Sequence, residues 1–98
     1  MLINAGANIN SEEASEGKTA LMMACEKGYL ELVSTLLEHG ALIDHKDQRK
    51  KTPLMYAIGT KAENKDVVKT LLESGADVNE HTLTGMTPLL LATKKGHA

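Results

Sequence analysis

Two short phrases return along this chain at a single period. Lys18-Thr19-Ala20-Leu21-Met22-Met23-Ala24 comes back as Lys51-Thr52-Pro53-Leu54-Met55-Tyr56-Ala57 and as Met86-Thr87-Pro88-Leu89-Leu90-Leu91-Ala92, with the threonines 33 and 35 residues apart. A second phrase, Leu2-Ile3-Asn4-Ala5-Gly6-Ala7, comes back as Leu36-Leu37-Glu38-His39-Gly40-Ala41 and Leu71-Leu72-Glu73-Ser74-Gly75-Ala76, its glycines 34 and 35 apart. Two independent markers with one spacing make the chain an array of similar units. A unit that small cannot enclose a core of its own, so its apolar face must be covered by the units beside it. At 98 residues the whole array amounts to one domain at most.

Each unit reads as two short helices and a polar loop. Thr52 and Thr87 directly precede Pro53 and Pro88. A hydroxyl at that position accepts a backbone N–H that a helix start leaves unpaired, and the fixed φ of proline suits the first helical residue. Thr19 supplies the cap but is followed by Ala20, so its helix begins with less pre-organisation. The first helix is expected from Thr19 to Gly28, where glycine accepts the left-handed turn that ends it. The second runs from Leu30 to His39 and ends at Gly40, with Leu32, Val33, Leu36 and Leu37 on one apolar stripe. Helices shorter than ~12–15 residues are marginal alone, so stacking must stabilise them.

Three residues after each terminal glycine stands one apolar residue, Ile9, Ile43 or Val78, which anchors an otherwise polar extended loop. From Gly6 to Thr19 the chain takes 13 steps, against 12 from Gly40 to Thr52 and from Gly75 to Thr87, which places an extra residue within Ser11 to Gly17. In the middle unit the stretch from Gly59 to Asp66 lengthens the connection between helices by two residues, a small entropic cost in a surface loop.

Composition narrows the function. Hydrophobic residues make up 42% of the chain, yet Tyr29 and Tyr56 are its only aromatics, so a thin, closely packed core of Leu, Ile, Val, Met and Ala is implied. The apolar runs are far shorter than a membrane span requires, and the N-terminal residues lack the pattern of a signal peptide. Cys25 alone can form no internal disulfide, which points to a reducing intracellular setting, cytoplasmic or nuclear. A net charge of −2 removes the bulk electrostatic case for nucleic acid or an anionic membrane.

Lys51-Thr52-Pro53-Leu54, the alanine three residues on, and Val68-Lys69-Thr70-Leu71-Leu72-Glu73-Ser74-Gly75-Ala76-Asp77-Val78-Asn79 together resemble the ankyrin repeat over nearly a whole unit. The resemblance implies an all-α solenoid of stacked antiparallel helix pairs with hairpin-like loops projecting at right angles. It divides the chain into a partial repeat over 1–10, full repeats over 11–46 and 47–81, and a partial repeat over 82–98. On that division the chain is a fragment of a longer array. Its last helix, with Leu89 to Ala92, then frays first and self-associates through the C-terminal end, and Met1, Leu2 and Ile3 are exposed at the other. Two departures stand out. The histidine that usually follows Thr-Pro-Leu in the family is Met22, Met55 and Leu90 here, and the loop glycine present as Gly17 and Gly85 is Lys50 in the middle unit, which strains that loop or alters its turn.

Residues with catalytic or ligand chemistry are thinly spread. His39, His45, His81 and His97 share no compact metal-ligand spacing with one another or with Cys25, and read as surface residues. Cys25 has no base beside it in sequence and reads as a small packing residue. Glu12, Glu13 and Glu16 form a solvated acidic rim, and Met22, Met23 and Met55 are placed in the core and along the inner face. No catalytic, cofactor-binding or metal-binding residue is nominated.

The loop from His45 to Lys51 carries four basic residues against one acidic, beside the acidic rim of the preceding loop, an acidic-to-basic gradient along the stack. Such a loop suits an acidic peptide or protein face, and charge of this kind governs orientation and on-rate more than affinity. The expected function is a non-enzymatic protein-protein interaction module. Its candidate contact residues lie where the three units differ: Glu16, Lys18, Glu26 and Lys27, then Lys46, Gln48, Arg49, Lys51, Gly59 and Thr60, then His81, Leu83, Thr84, Met86, Lys94 and Lys95. By the resemblance these are loop tips and exposed first-helix positions. The alternative is a regulatory or substrate-recruiting region of a larger enzyme or channel. Nucleic acid ranks third, since the basic loop has no stacking aromatics.

Overall fold

In a computed structural model of the protein, the residues described are 9–59 and 65–95, the side chains of Lys94 and Lys95 excepted. Threonine hydroxyls begin the first helix of each unit. Thr19 Oγ accepts from Met22 N at 3.3 Å, Thr52 Oγ from Met55 N at 3.4 Å and Thr87 Oγ from Leu90 N at 3.2 Å. These caps open α1 (Ala20–Lys27), α3 (Pro53–Gly59) and α5 (Pro88–Lys95); the outer helices are α2 (Leu30–Glu38) and α4 (Lys65–Glu73). Gly28 closes α1 in the left-handed region at φ 75°, and Tyr29 N donates back to Ala24 O at 3.0 Å. The same closure recurs where Ala41 N donates to Leu36 O and Ala76 N to Leu71 O, both at 3.0 Å.

Among the described residues the regular elements are all helices, with no strand. Helix α1 packs on α2 and α3, α3 packs on α4 and α5, and α2 meets α4 more lightly, giving two layers of helices side by side. The sequence expectation of an all-α solenoid therefore holds. Its core is thin and aliphatic: Leu21, Met22, Ala24, Cys25, Val33 and Leu36 meet Leu54, Ala57, Ile58, Val67 and Leu71. Burying the Leu, Ile, Val and Met side chains among these contributes roughly 1.5–3 kcal/mol each, enough to hold helices of seven to nine residues that would not form alone. None of the helices described is long and apolar enough to cross a membrane.

The three methionines divide: Met22 and Met55 are fully buried and Met23 is 41% exposed, while Tyr56, at the matching place on α3, is buried. Residues 1–8, with Met1, Leu2 and Ile3, and residues 60–64, with the expected lengthening between α3 and α4, lie outside the described residues, as does His97.

Candidate protein-interaction surface

Each loop tip is built around one side-chain acceptor. In the middle unit Asp47 N donates to Lys51 O at 3.0 Å, while Asp47 Oδ1 accepts from Arg49 N at 2.9 Å and Lys51 N at 2.8 Å. In the third unit Thr82 N donates to Met86 O at 2.9 Å and Thr82 Oγ accepts from Met86 N at 3.2 Å. In the first, Glu13 N donates to Lys18 O at 2.8 Å, and the Glu13 carboxylate accepts from the amides of Ser15, Glu16 and Lys18 and from the Ser15 hydroxyl. Glu13 to Lys18 is one residue longer than Asp47 to Lys51 or Thr82 to Met86, which locates the extra residue. A glutamate, one methylene longer than aspartate, spans the wider turn. The Ser15 hydroxyl, followed by the Lys18 amide, lowers the Glu13 pKa from 4.5 to about 2.

The tip then turns through a left-handed residue: Gly17 at φ 75°, Lys50 at φ 62° and Gly85 at φ 81°. The lysine keeps the turn of its glycine counterparts and carries strain in place of altering it. An L-residue in this region costs roughly 1–2 kcal/mol.

Adjacent tips are joined through their backbones. Gln48 N donates to Glu16 O at 3.0 Å and Leu83 N to Arg49 O at 3.1 Å, so one bond repeats between successive units. At the loop bases Asn10 Oδ1 accepts from Leu42 N at 2.8 Å, and Asp44 Oδ1 accepts from Asp77 N at 2.9 Å. Side chains follow the same rule. His45 Nε2 lies 2.5 Å from Glu12 Oε2, and Lys46 Nζ lies 2.8 Å from Glu80 Oε1, equivalent positions with the charge order reversed. Arg49 Nη2 lies 2.7 Å from Glu16 Oε2. The acidic-to-basic gradient expected along the stack is thus largely closed by pairing between units. Such exposed pairs contribute roughly 0–1 kcal/mol each, so their effect is to hold tips in register.

Where the second tip joins α3, Tyr56 is buried with its hydroxyl donating to Asp47 Oδ2. Burial, and then that bond to a carboxylate, push its phenol pKa up. Its ring faces two ammonium groups, Lys51 Nζ at 4.2 Å and Lys18 Nζ at 4.9 Å from the centroid. Lys18 is also 3.1 Å from Glu26 Oε1. Burial lowers the Lys51 pKa, with neighbouring Arg49 adding to the shift. Burial likewise pushes the Cys25 thiol up to about 12, leaving it a packing group without nucleophilic character.

Thus Glu16, Lys18, Glu26, Lys46 and Arg49 are joined in ion pairs, Lys51 lies along Tyr56 beside Gly59, and Lys27, Gln48, His81, Leu83 and Thr84 are exposed, with Met86 half-buried. Thr60 and the side chains of Lys94 and Lys95 lie outside the described residues. The sequence reading missed Asp47, Tyr56 and the partners Glu12, His45 and Glu80. Counting from the glycines shows that Glu12 and Lys46 are equivalent, each six residues after its own, but only the stacking sets them against His45 and Glu80, five residues after the next glycine.

A profile of ankyrin repeats, in three copies, matches residues 1–82. The chain belongs to the ankyrin-repeat family. Among curated proteins, this ankyrin array is 59% identical over 34 residues to the poly(ADP-ribose) polymerase tankyrase of Caenorhabditis elegans, covering 35% of the chain and 2% of that protein. It is 42% identical over 88 residues to the ankyrin repeat and KH domain-containing protein mask of Drosophila melanogaster, covering 87% of the chain and 2% of that protein. Over 99% of its length it is 30% identical to ankyrin repeat domain-containing protein 63 of Mus musculus, of which it spans 25%. The array is thus a small part of the length of each of these relatives. Ankyrin repeats are protein-protein interaction modules, and the family is generally non-enzymatic.

Proposed function

We propose that this ankyrin array binds another protein or peptide through its loop tips and the exposed sides of its first helices, and performs no chemistry of its own. One observation carries the reading. The bonds from Gln48 N to Glu16 O and from Leu83 N to Arg49 O align the tips on a repeated frame, while the side chains displayed there differ from unit to unit. A rigid frame with variable side chains recognises a partner at low ordering cost. The test is a photo-crosslinking residue placed at Gln48 or Thr84 on the tips, and at Ser34 or Glu38 on the outer helices. Capture from the tip positions is expected; capture from Ser34 and Glu38 alone would sink the assignment.

The match to a polymerase over 34 residues favours a second reading, a recruiting or regulatory region within a larger enzyme. A full-length transcript encoding a catalytic domain in the same frame would support it. The buried thiol of Cys25 and the aliphatic core are compatible with a cytoplasmic or nuclear protein. Self-association is supported by an open apolar groove beside α5, lined by Ile58, Leu72, Val78, Pro88, Leu89 and Ala92. Sedimentation over a dilution series would show it as a concentration-dependent mass.

A further inference from the structure

The tips of the second and third units are tied together at Arg49 and Leu83 by a backbone bond of 3.1 Å. Around them the described carboxylates are already engaged. Glu12, Glu16, Glu26 and Glu80 face cations or a histidine, Glu13 is folded onto its own amides, Asp47 is buried against Tyr56, and Asp44 accepts a backbone amide at a loop base. Lys50 and Lys51 form no ion pair among the described residues, so the charge left over on this side of the molecule is cationic. Lys50 also stands at φ 62° where its two counterparts are glycine, with its side chain exposed. A strained residue at an exposed position contributes nothing to packing that glycine would not, which points to a use for its side chain. Beside it Leu83 is 64% exposed, an apolar group on a polar tip.

We propose that Arg49, Lys50 and Leu83, with Lys51 and Met86 behind them, form a docking site for an acidic peptide segment that carries an apolar residue between its carboxylates. The proposal rests on the tip surface assigned above and adds the chemistry of its occupant. Lys50 meets the carboxylates, and Lys51, held along the Tyr56 ring, adds positive potential behind it. Arg49, held by Glu16 at 2.7 Å, keeps its guanidinium beside the site, and Leu83 receives the apolar side chain.

The experiment measures fluorescence anisotropy of a labelled peptide of three tandem Glu-Leu-Glu-Ser units. Its comparators are the Lys-Leu-Lys-Ser and Glu-Ser-Glu-Ser analogues and a random-sequence DNA duplex. The Glu-Leu peptide is expected to bind about fivefold or more tighter than either peptide analogue, a difference near 1 kcal/mol, and to weaken as salt rises. Lys50→Glu should reduce that binding about fivefold, and Leu83→Ser should bring it to the level of the Glu-Ser peptide. Both positions are exposed, and circular dichroism will confirm that the variants fold. Tighter binding of the duplex, no preference for the Glu-Leu peptide, or indifference to both substitutions overturns the proposal. If the Lys-Leu peptide binds and Leu83→Ser weakens it, the tip surface stands and the acidic chemistry falls. If Glu31→Gln with Glu38→Gln abolishes binding and the tip variants do not, the surface assignment itself falls.

Discussion

The hydroxyl of Tyr56 donates to the carboxylate of Asp47, nine residues earlier, and so fastens helix α3 to the loop tip that leads into it. The other oxygen of Asp47 is already shared by the amides of Arg49 and Lys51. A single carboxylate therefore sets both the shape of the tip and its angle to the helix. Asp47→Ala leaves three donors without their acceptor and should destabilise the array by about 2–3 kcal/mol in urea unfolding. Tyr56→Phe removes one bond to a charged acceptor and should cost about 1.5 kcal/mol. The double variant should be milder than the sum by about 1 kcal/mol, and strict additivity would show that the bond carries no coupling.

Lys50→Gly relieves a left-handed lysine. The relief of roughly 1–2 kcal/mol is partly offset by the greater freedom of glycine in the unfolded chain, about 0.5–1 kcal/mol, so a net gain of about 0.5–1 kcal/mol is expected. At the matching glycines the sign reverses. Gly85→Ala meets no atom within 4 Å and bears only the backbone penalty, whereas a Cβ at Gly17 would also sit 3.2 Å from Gln48 Cγ, so Gly17→Ala should be the more damaging. Thermal melts of the three variants rank them directly.

Glu13 makes the first tip sensitive to acid. Its pKa is lowered from 4.5 to about 2 on folding, so the contribution is complete above 4.5 and is lost as pH falls through that window toward 2. Amide exchange at Ser15, Glu16 and Lys18 should accelerate across that range, ahead of amides in the middle tip. In Glu13→Gln the three amides should exchange faster already at neutral pH, with little further change on acidification.

Helix α5 should be the first described helix to open. It packs on α3, while Leu89 and Leu90 on its surface are 75% and 49% exposed; α3 by contrast is buried at Leu54, Met55, Tyr56, Ala57 and Ile58. Opening free energies follow such differences in apolar contact. In a dilute monomeric sample the amides of Leu90 and Leu91 should exchange faster than those of Ala57 and Ile58. Equal protection would show that α5 is held as firmly as the middle of the array.

The helices and their ends were legible in the sequence because they depend on local chemistry. Thr19, Thr52 and Thr87 each cap the helix that follows, and Gly28 ends α1, whatever the neighbouring units do. The joints between units were harder to read. Glu12 with His45, and Lys46 with Glu80, are ordinary charged residues until the stacking brings one loop against the next. The same dependence governs Met23. It matches Tyr56 in the repeat, yet Tyr56 is covered by Asp47 and two lysines while Met23 is open, a difference made by loop conformation and long side chains. Which tip charges are left unpaired depends in turn on which of them the neighbouring loops have neutralised.

The bonds at the loop bases have a consequence for how such a chain can change over generations. Asn10 holds Leu42, and Asp44 holds Asp77, from equivalent places in successive units. Cutting the coding sequence at any one offset and joining it to the same offset a unit further on would recreate a joint of the same kind, with a side-chain oxygen again meeting the amide two residues past a helix-ending glycine. Loss or duplication of a whole unit is thereby gentler than slippage by a single codon between Gly40 and Asp44, which would put the donor and acceptor out of step.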